Sequence, residues 1–156
     1  MLTINDKAPD FSAETADGKK ITLSEFKNKK NVMLFFFSKA FSFVCSNQVC
    51  RFRDAYEELS GYDCEIIGIS FDSMDTQHEF KTTHRLPYHI ISDPDKKISG
   101  AYGVMRFGGY LPFVKRVTFV IDKSGIIRNV IHHEFNIGRH TLEVKKTLVA
   151  LAESSI

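Results

Sequence analysis

Apolar positions along the chain follow two rhythms. Asn31 to Phe37 is an almost unbroken apolar run rich in aromatics, and Glu65 to Ser70 (EIIGIS) is a second, shorter one. Runs of this length without polar alternation suit central strands buried on both faces. Arg116 to Asp122 (RVTFVID) and Gly125 to His132 (GIIRNVIH) read as two more strands, and the DKSG tetrad between them carries the residues of a hairpin turn. Between the first two strands the period changes. Val44, Val49, Phe52, Ala55, Tyr56 and Leu59 recur at helical spacing, which predicts an amphipathic helix from Val44 to Ser60. Ser73 offers an N-cap for a second helix ending near His84, Lys96 to Tyr102 reads as a short third, and Arg139 to Glu153 as the last. The element order β-α-β-α-β-α-β-β-α implies an α/β fold with a mixed central sheet and helices on both faces. Sites in such sheets form where strand carboxyl ends meet helix amino termini. The segment Phe37 to Cys45 lies at one of those junctions.

Composition narrows the class. A chain of 156 residues that is 43% apolar and 26% charged is expected to fold as one globular domain, residues 1–156, and is unlike a disordered, collagenous or rod-forming sequence. With 14 Phe to bury, it needs neither disulfides nor a structural metal for stability, so a cysteine pair is free for chemistry. Net charge is +2 and no run of five like charges occurs, so neither a nucleic-acid footprint nor a polybasic membrane patch is visible. The longest apolar run, Val32 to Phe37, falls far short of the ~18 residues of a membrane span. Met1 to Asp10 lacks the apolar core of a signal peptide, and the expectation is a soluble, cytoplasmic protein. In a reducing compartment three cysteines do not form a disulfide framework, and a close pair is more often catalytic or metal-binding.

Cys45 falls in the first turn of the predicted helix, directly after a strand, where unpaired backbone N–H groups and the positive end of the helix dipole favour an anion. An ordinary thiol is mostly protonated at neutrality, and holding it as a thiolate takes roughly 2 kcal/mol of differential stabilisation. A helix dipole supplies only about 0.3 to 1 kcal/mol, whereas a unit charge at 4 Å supplies about 4 kcal/mol at an effective dielectric of 20. A cation beside Cys45 is therefore expected. Arg116 is the candidate because it opens the RVTFVID strand, within reach of the same sheet edge; the competing reading is a solvated arginine at a strand end.

Cys50 lies five residues beyond Cys45. On an intact helix that separation places the Cα atoms about 8.6 Å apart, beyond the roughly 7 Å limit for a disulfide. Bonding between the two thiols therefore requires the first helical turns to unwind. The other readings are two buried thiols on an amphipathic helix, or a metal pair, for which a second ligand pair nearby is lacking. Cys64, at the mouth of EIIGIS, reads as a core or edge thiol. His132 and His133 alternate faces of a strand and read as surface residues, while His78, His84, His89 and His140 show no ligand spacing.

Several segments recur in order: APDF (Ala8 to Phe11), SKAFSFVC (Ser38 to Cys45), CRFRDAYEE (Cys50 to Glu58), then GISFDS, LPYHIISDPD, AYGV and RVTFVID. In these the chain resembles the peroxiredoxins, specifically the bacterioferritin-comigratory-protein or Q-type branch and its archaeal relatives. The resemblance spans nearly the whole sequence and implies a thioredoxin-like fold. Against the pattern Pro-x-x-x-Thr/Ser-x-x-Cys, Cys45 matches the peroxidatic cysteine, Ser42 the hydroxyl and Arg116 the strand arginine, while Cys50 matches the resolving cysteine of the Q-type branch. Ser38 stands where that pattern has a water-shielding proline, and Gln48 where related branches often carry glutamate. The resemblance implies that Cys45 attacks hydrogen peroxide or an organic hydroperoxide and becomes a sulfenic acid, with Ser42, Arg116 and the N–H groups of Val44 and Cys45 orienting the oxygens. Cys50 then condenses to a disulfide that a thioredoxin-like or other dithiol reductant reopens, without cofactor or metal. A thiol-disulfide oxidoreductase, which normally carries C-x2-C, and a redox-regulated chaperone or binding module are the alternatives of the same fold. Phe41, Phe43 and the connection from Val104 to Val114 read either as an apolar collar around the site or as ordinary core, and a monomer and a homodimer both fit.

Overall fold

Five strands form the central sheet: β3 (Asn31–Phe36), β4 (Cys64–Ser70), β5 (His89–Ser92), β6 (Val117–Ile121) and β7 (Ile127–His132). A short hairpin of β1 (Ser12–Glu14) and β2 (Lys20–Thr22) precedes them, followed by a 3-10 turn at Leu23–Phe26. The helices are α1 (Phe43–Ser60), α2 (Met74–His84), α3 (Lys97–Tyr102) and α4 (Ile137–Ser154). The computed structural model describes residues 1–37, 40, 43–105, 114–134 and 136–154, without the side chains of residues 43, 44 and 154.

The sheet order is β5-β4-β3-β6-β7, parallel across β5, β4 and β3 and antiparallel for β6 and β7. Period-two alternation along β3 sorts the core into two layers. Met33, Phe35 and Phe37 join Val49, Phe52 and Leu59 of α1, Phe80 of α2, and Val144 and Leu148 of α4. Val32, Leu34 and Phe36 face the opposite way, toward Ile21, Leu23, Ile98 and Tyr102. Helices thus flank both faces of a mixed sheet, and the thinner side, carrying α3, is completed by the β1–β2 hairpin and the 3-10 turn. At Gly68 of β4 a Cβ would sit 2.6 Å from Cζ of Phe35 and 2.9 Å from Cδ1 of Ile90, so a bare backbone is what lets the Phe35 ring lie flat on the sheet.

The predicted strands and helices are all present, with ends moved by one to two residues. Asp122 closes the β6–β7 turn by accepting from Ser124 N at 2.9 Å and Ile126 N at 3.0 Å. Ser73 caps α2, its hydroxyl accepting from Thr76 N at 3.3 Å. Arg116 precedes β6 rather than opening it, because the ladder with β3 starts at Thr118 and that with β7 at Val117. The strands β1 and β2 were not expected: three residues each, they are too short to show alternation. Among the described residues, no helix is long and apolar enough to cross a membrane.

Candidate active site

The site forms at the carboxyl end of β3. Phe37 N extends the parallel ladder by donating to Ile69 O at 3.0 Å, and a few residues later Ala40 N donates to Asp72 Oδ2 at 2.8 Å. That carboxylate also accepts from Ser70 Oγ at 2.6 Å, so the loop into α1 is tied to the end of β4. Buried Gln77 of α2 secures the same edge, its Nε2 donating to Ser70 Oγ at 2.8 Å and Ile91 O at 3.0 Å. Cys45, the third residue of α1, is fully buried against the core while its backbone lies in the N-terminal turn. Ser38, Phe41, Ser42 and residues 106–113 lie outside the described residues, as does the side chain of Phe43.

Arg116 is not a solvated strand-end arginine. Only 5% exposed, it donates from Nη1 to Gln48 Oε1 at 2.6 Å and from Nε to the Glu134 carbonyl at 3.0 Å, while its backbone N lies 3.4 Å from Glu134 Oε1. A guanidinium this deep requires such partners, since its desolvation is otherwise uncompensated. Gln48 is fully buried and sits three residues after Cys45, on the same face of α1. The structure thereby brings Arg116 to the helix turn next to Cys45.

A second layer holds the arginine. Fully buried His140 of α4 lies 2.8 Å from Thr118 Oγ1 through Nδ1 and 2.8 Å from the His133 carbonyl through Nε2. Burial, more than the neighbouring positive charges, pushes this imidazole down to about 4, so it is neutral near pH 7. A carbonyl only accepts, so Nε2 carries the proton and Nδ1 accepts from the threonine hydroxyl. His140 thus pins the His133–Glu134 stretch whose carbonyl grips Arg116. Sequence reading had noted Gln48 only as a departure and missed Asp72, Glu134 and His140 as supports; their partners lie far away in sequence, and no spacing signals them.

The two helix cysteines are not joined in a disulfide and lie on one continuous stretch of α1. Cys50 is half-buried, and its sulfur lies 3.5 Å from His84 Nδ1 at the end of α2. Burial, assisted by the Arg53 guanidinium, holds His84 below the usual imidazole range. Cys64 is different. It begins β4 opposite Asn31, at the far edge of the sheet from the start of α1, and burial pushes its thiol up to about 12. Among the described residues no group of His, Cys, Asp or Glu could hold a metal ion, so the pair Cys45 and Cys50 has no metal-ligand companions there.

Comparison with known proteins is consistent across sequence and structure. Residues 4–130 match the AhpC/TSA family. The Coxiella burnetii protein assigned as peroxiredoxin bcp is 34% identical over 147 residues, covering 92% of this chain and 96% of its own. Chloroplastic peroxiredoxin Q of Suaeda salsa is 36% identical over 144 residues, 92% of this chain and 66% of that one. Among solved structures, the crystal structure of peroxidoxin BcpB from Mycobacterium tuberculosis superposes with a TM-score of 0.90 at 31% identity, covering 96% of this chain and 98% of the other.

Proposed function

Because this chain belongs to the AhpC/TSA family and is a thiol-dependent peroxiredoxin, we propose that Cys45 is its peroxide-reducing nucleophile and Cys50 the thiol that resolves it. The observation that carries this reading is the buried contact of Arg116 Nη1 with Gln48 Oε1 at 2.6 Å, which sets a permanent cation one helical turn from Cys45. The Cys45 thiolate attacks one peroxide oxygen; the S–O bond forms as the O–O bond breaks, and the departing oxygen takes up a proton and leaves as water or an alcohol. Negative charge develops on that oxygen, where Arg116, the Ser42 hydroxyl and the N–H groups of Val44 and Cys45 stabilise it.

Resolution needs α1 to open. Cys50 reaches the Cys45 sulfenic acid only if the turn between them unwinds, since the intact helix holds the Cα atoms about 8.6 Å apart. Cys64 is the poorer resolving thiol, being buried at the opposite sheet edge and pushed up to about 12. A thioredoxin-like or other dithiol then reopens the disulfide. The chain would act as one domain in the cytoplasm, as a monomer or homodimer.

The test is the rate of peroxide consumption by the reduced protein. Arg116→Met, which keeps bulk and removes charge, is expected to lower the second-order rate about 100-fold or more, in line with loss of one preorganised donor to a developing anion. Cys45→Ser is expected to remove turnover altogether. Multi-turnover activity in the Cys45 variant would refute the assignment.

A further inference from the structure

We propose that His84 is the general base of the resolving step, taking the proton of Cys50 as that sulfur attacks the oxidised Cys45. The inference rests on Cys50 being the resolving thiol. It starts from a contact that links two elements: Cys50 Sγ of α1 lies 3.5 Å from Nδ1 of His84, the last residue of α2.

The imidazole is held on several sides. Its ring stands edge-on to Phe80, with centroids 4.9 Å apart and planes at 81°. The His84 carbonyl accepts from Arg53 Nη1 at 2.8 Å, so the same arginine that repels a proton from the ring also ties the end of α2 to α1. Among the described residues, Cys50 and Arg53 of α1 face the ring, and Tyr88, just before β5, lies on the Cys50 and Arg53 side of the pair. Burial and Arg53 both oppose protonation and hold the imidazole toward its neutral form, and in the tautomer that carries its proton on Nε2 the Nδ1 lone pair faces the thiol.

The surroundings keep this pair together while α1 opens. Tyr88 OH donates to the Val49 carbonyl at 2.7 Å, and Phe52 is buried edge-on to Phe35 at 4.7 Å. The helix from Val49 onward is therefore anchored, and the turn that carries Cys45 is the one that swings. Cys50 meets the sulfenic acid while still beside His84. The step balances without an outside reagent: Nδ1 takes the thiol proton, the Cys50 sulfur bonds to the Cys45 sulfur, and the S–O bond breaks. The departing hydroxide takes that proton from the His84 imidazolium and leaves as water, which restores the neutral imidazole.

The test separates the two half-reactions by rapid mixing of reduced protein with one equivalent of hydrogen peroxide. Sulfenic acid formation and disulfide formation are followed in wild type, His84→Phe and His84→Asn, from pH 6 to 9. Asparagine keeps a polar group near the Nδ1 position but cannot take the proton. Both variants are expected to slow disulfide formation at pH 7 at least about tenfold, with the deficit shrinking as pH rises and free hydroxide takes over deprotonation. Sulfenic acid formation continues at the wild-type rate, and the Cys45 sulfenic acid accumulates. A His84→Asn variant that closes its disulfide at the wild-type rate and pH dependence overturns the proposal. Should either variant fold poorly, alkylation of Cys50 by iodoacetamide at pH 7 is compared in Cys45→Ser with and without His84→Gln. A loss of at least about fivefold is expected, and equal rates overturn the role. If mass spectrometry of oxidised wild type finds no Cys45–Cys50 crosslink, the assignment of Cys50 itself fails, a result distinct from a crosslink that ignores His84.

Discussion

Arg116 carries a full charge into the interior on a neutral amide and a backbone carbonyl. Among the described residues no carboxylate meets the guanidinium at the Gln48 end, so in the proposed mechanism its field is available to an anion on Cys45. The same logic distinguishes the cysteines. Cys64 has no cation beside it that outweighs burial, and with its thiol pushed up to about 12 it stays protonated and inert. In the folded, reduced protein, alkylation at pH 7 read by mass spectrometry is expected to label the half-buried Cys50 within minutes and Cys64 only after denaturant is added. Labelling of Cys64 at the rate of Cys50 would contradict its placement. The cysteine spacing was readable because it depends on neighbours along the chain, and Arg116 was marked by the resemblance of its RVTFVID segment; the contacts of Gln48, Asp72 and His140 were not readable, because each acts on a residue more than 20 positions away.

Helix α1 has two jobs that conflict. In the proposed mechanism its first turn must be ordered to present N–H groups and Cys45 to peroxide, and must then give way for Cys50 to reach the oxidised sulfur. The contacts divide it accordingly. Before Val49 the turn is tied by Gln48 to Arg116 and, through the preceding loop, by Ala40 to Asp72; from Val49 onward Tyr88, Phe52 and Leu59 hold it in the core. Hydrogen exchange is expected to show low protection for residues 47–50, the first whose N–H groups bond within the helix, in the disulfide form and higher protection in the reduced form, with residues 52–60 protected in both. Equal protection of residues 47–50 in the two states would mean that the disulfide forms without unwinding, against the helix geometry. The helix itself was readable from the 3.6-residue recurrence of Val49, Phe52 and Leu59. Where it is firm and where it yields was not, since that depends on Tyr88 and Asp72, which lie on other elements.

For the molecule as a whole, the layer between the sheet and α4 makes stability depend on pH. His140 titrates at about 4 when folded against 6.5 ordinarily. Between those values the unfolded chain binds a proton that the native state refuses. Stability is therefore complete above pH 6.5 and falls as pH is lowered toward 4, by about 1.4 kcal/mol per pH unit and about 3 kcal/mol in total from this residue. His84 and His89, also held below their ordinary range, add in the same direction. Urea unfolding from pH 7 to 4 is expected to show this decline, and His140→Asn to unfold more easily at pH 7 but with a shallower slope below it. An unchanged slope would mean that His140 takes up its proton as readily in the native state as in the unfolded chain. The acid-sensitive residue also holds the stretch whose carbonyl grips Arg116, so loss of the His140 bonds is expected to disturb the candidate site as well as the core.

The order and kind of elements follow from one-dimensional information. Apolar runs bury, a 3.6-residue recurrence coils, and turn residues such as those of DKSG close a hairpin, because each depends on side chains within a few positions of one another. The strands of three residues escaped that reading because they hold too few side chains to alternate, and their pairing is completed only by a partner strand. The cysteine pair and its helical junction belong to the same local information. The setting of that pair does not. Which carbonyl grips Arg116, which histidine stands at Cys50 and which half of α1 is anchored are fixed by contacts between segments distant along the chain, and such contacts exist only once the sheet has brought those segments side by side.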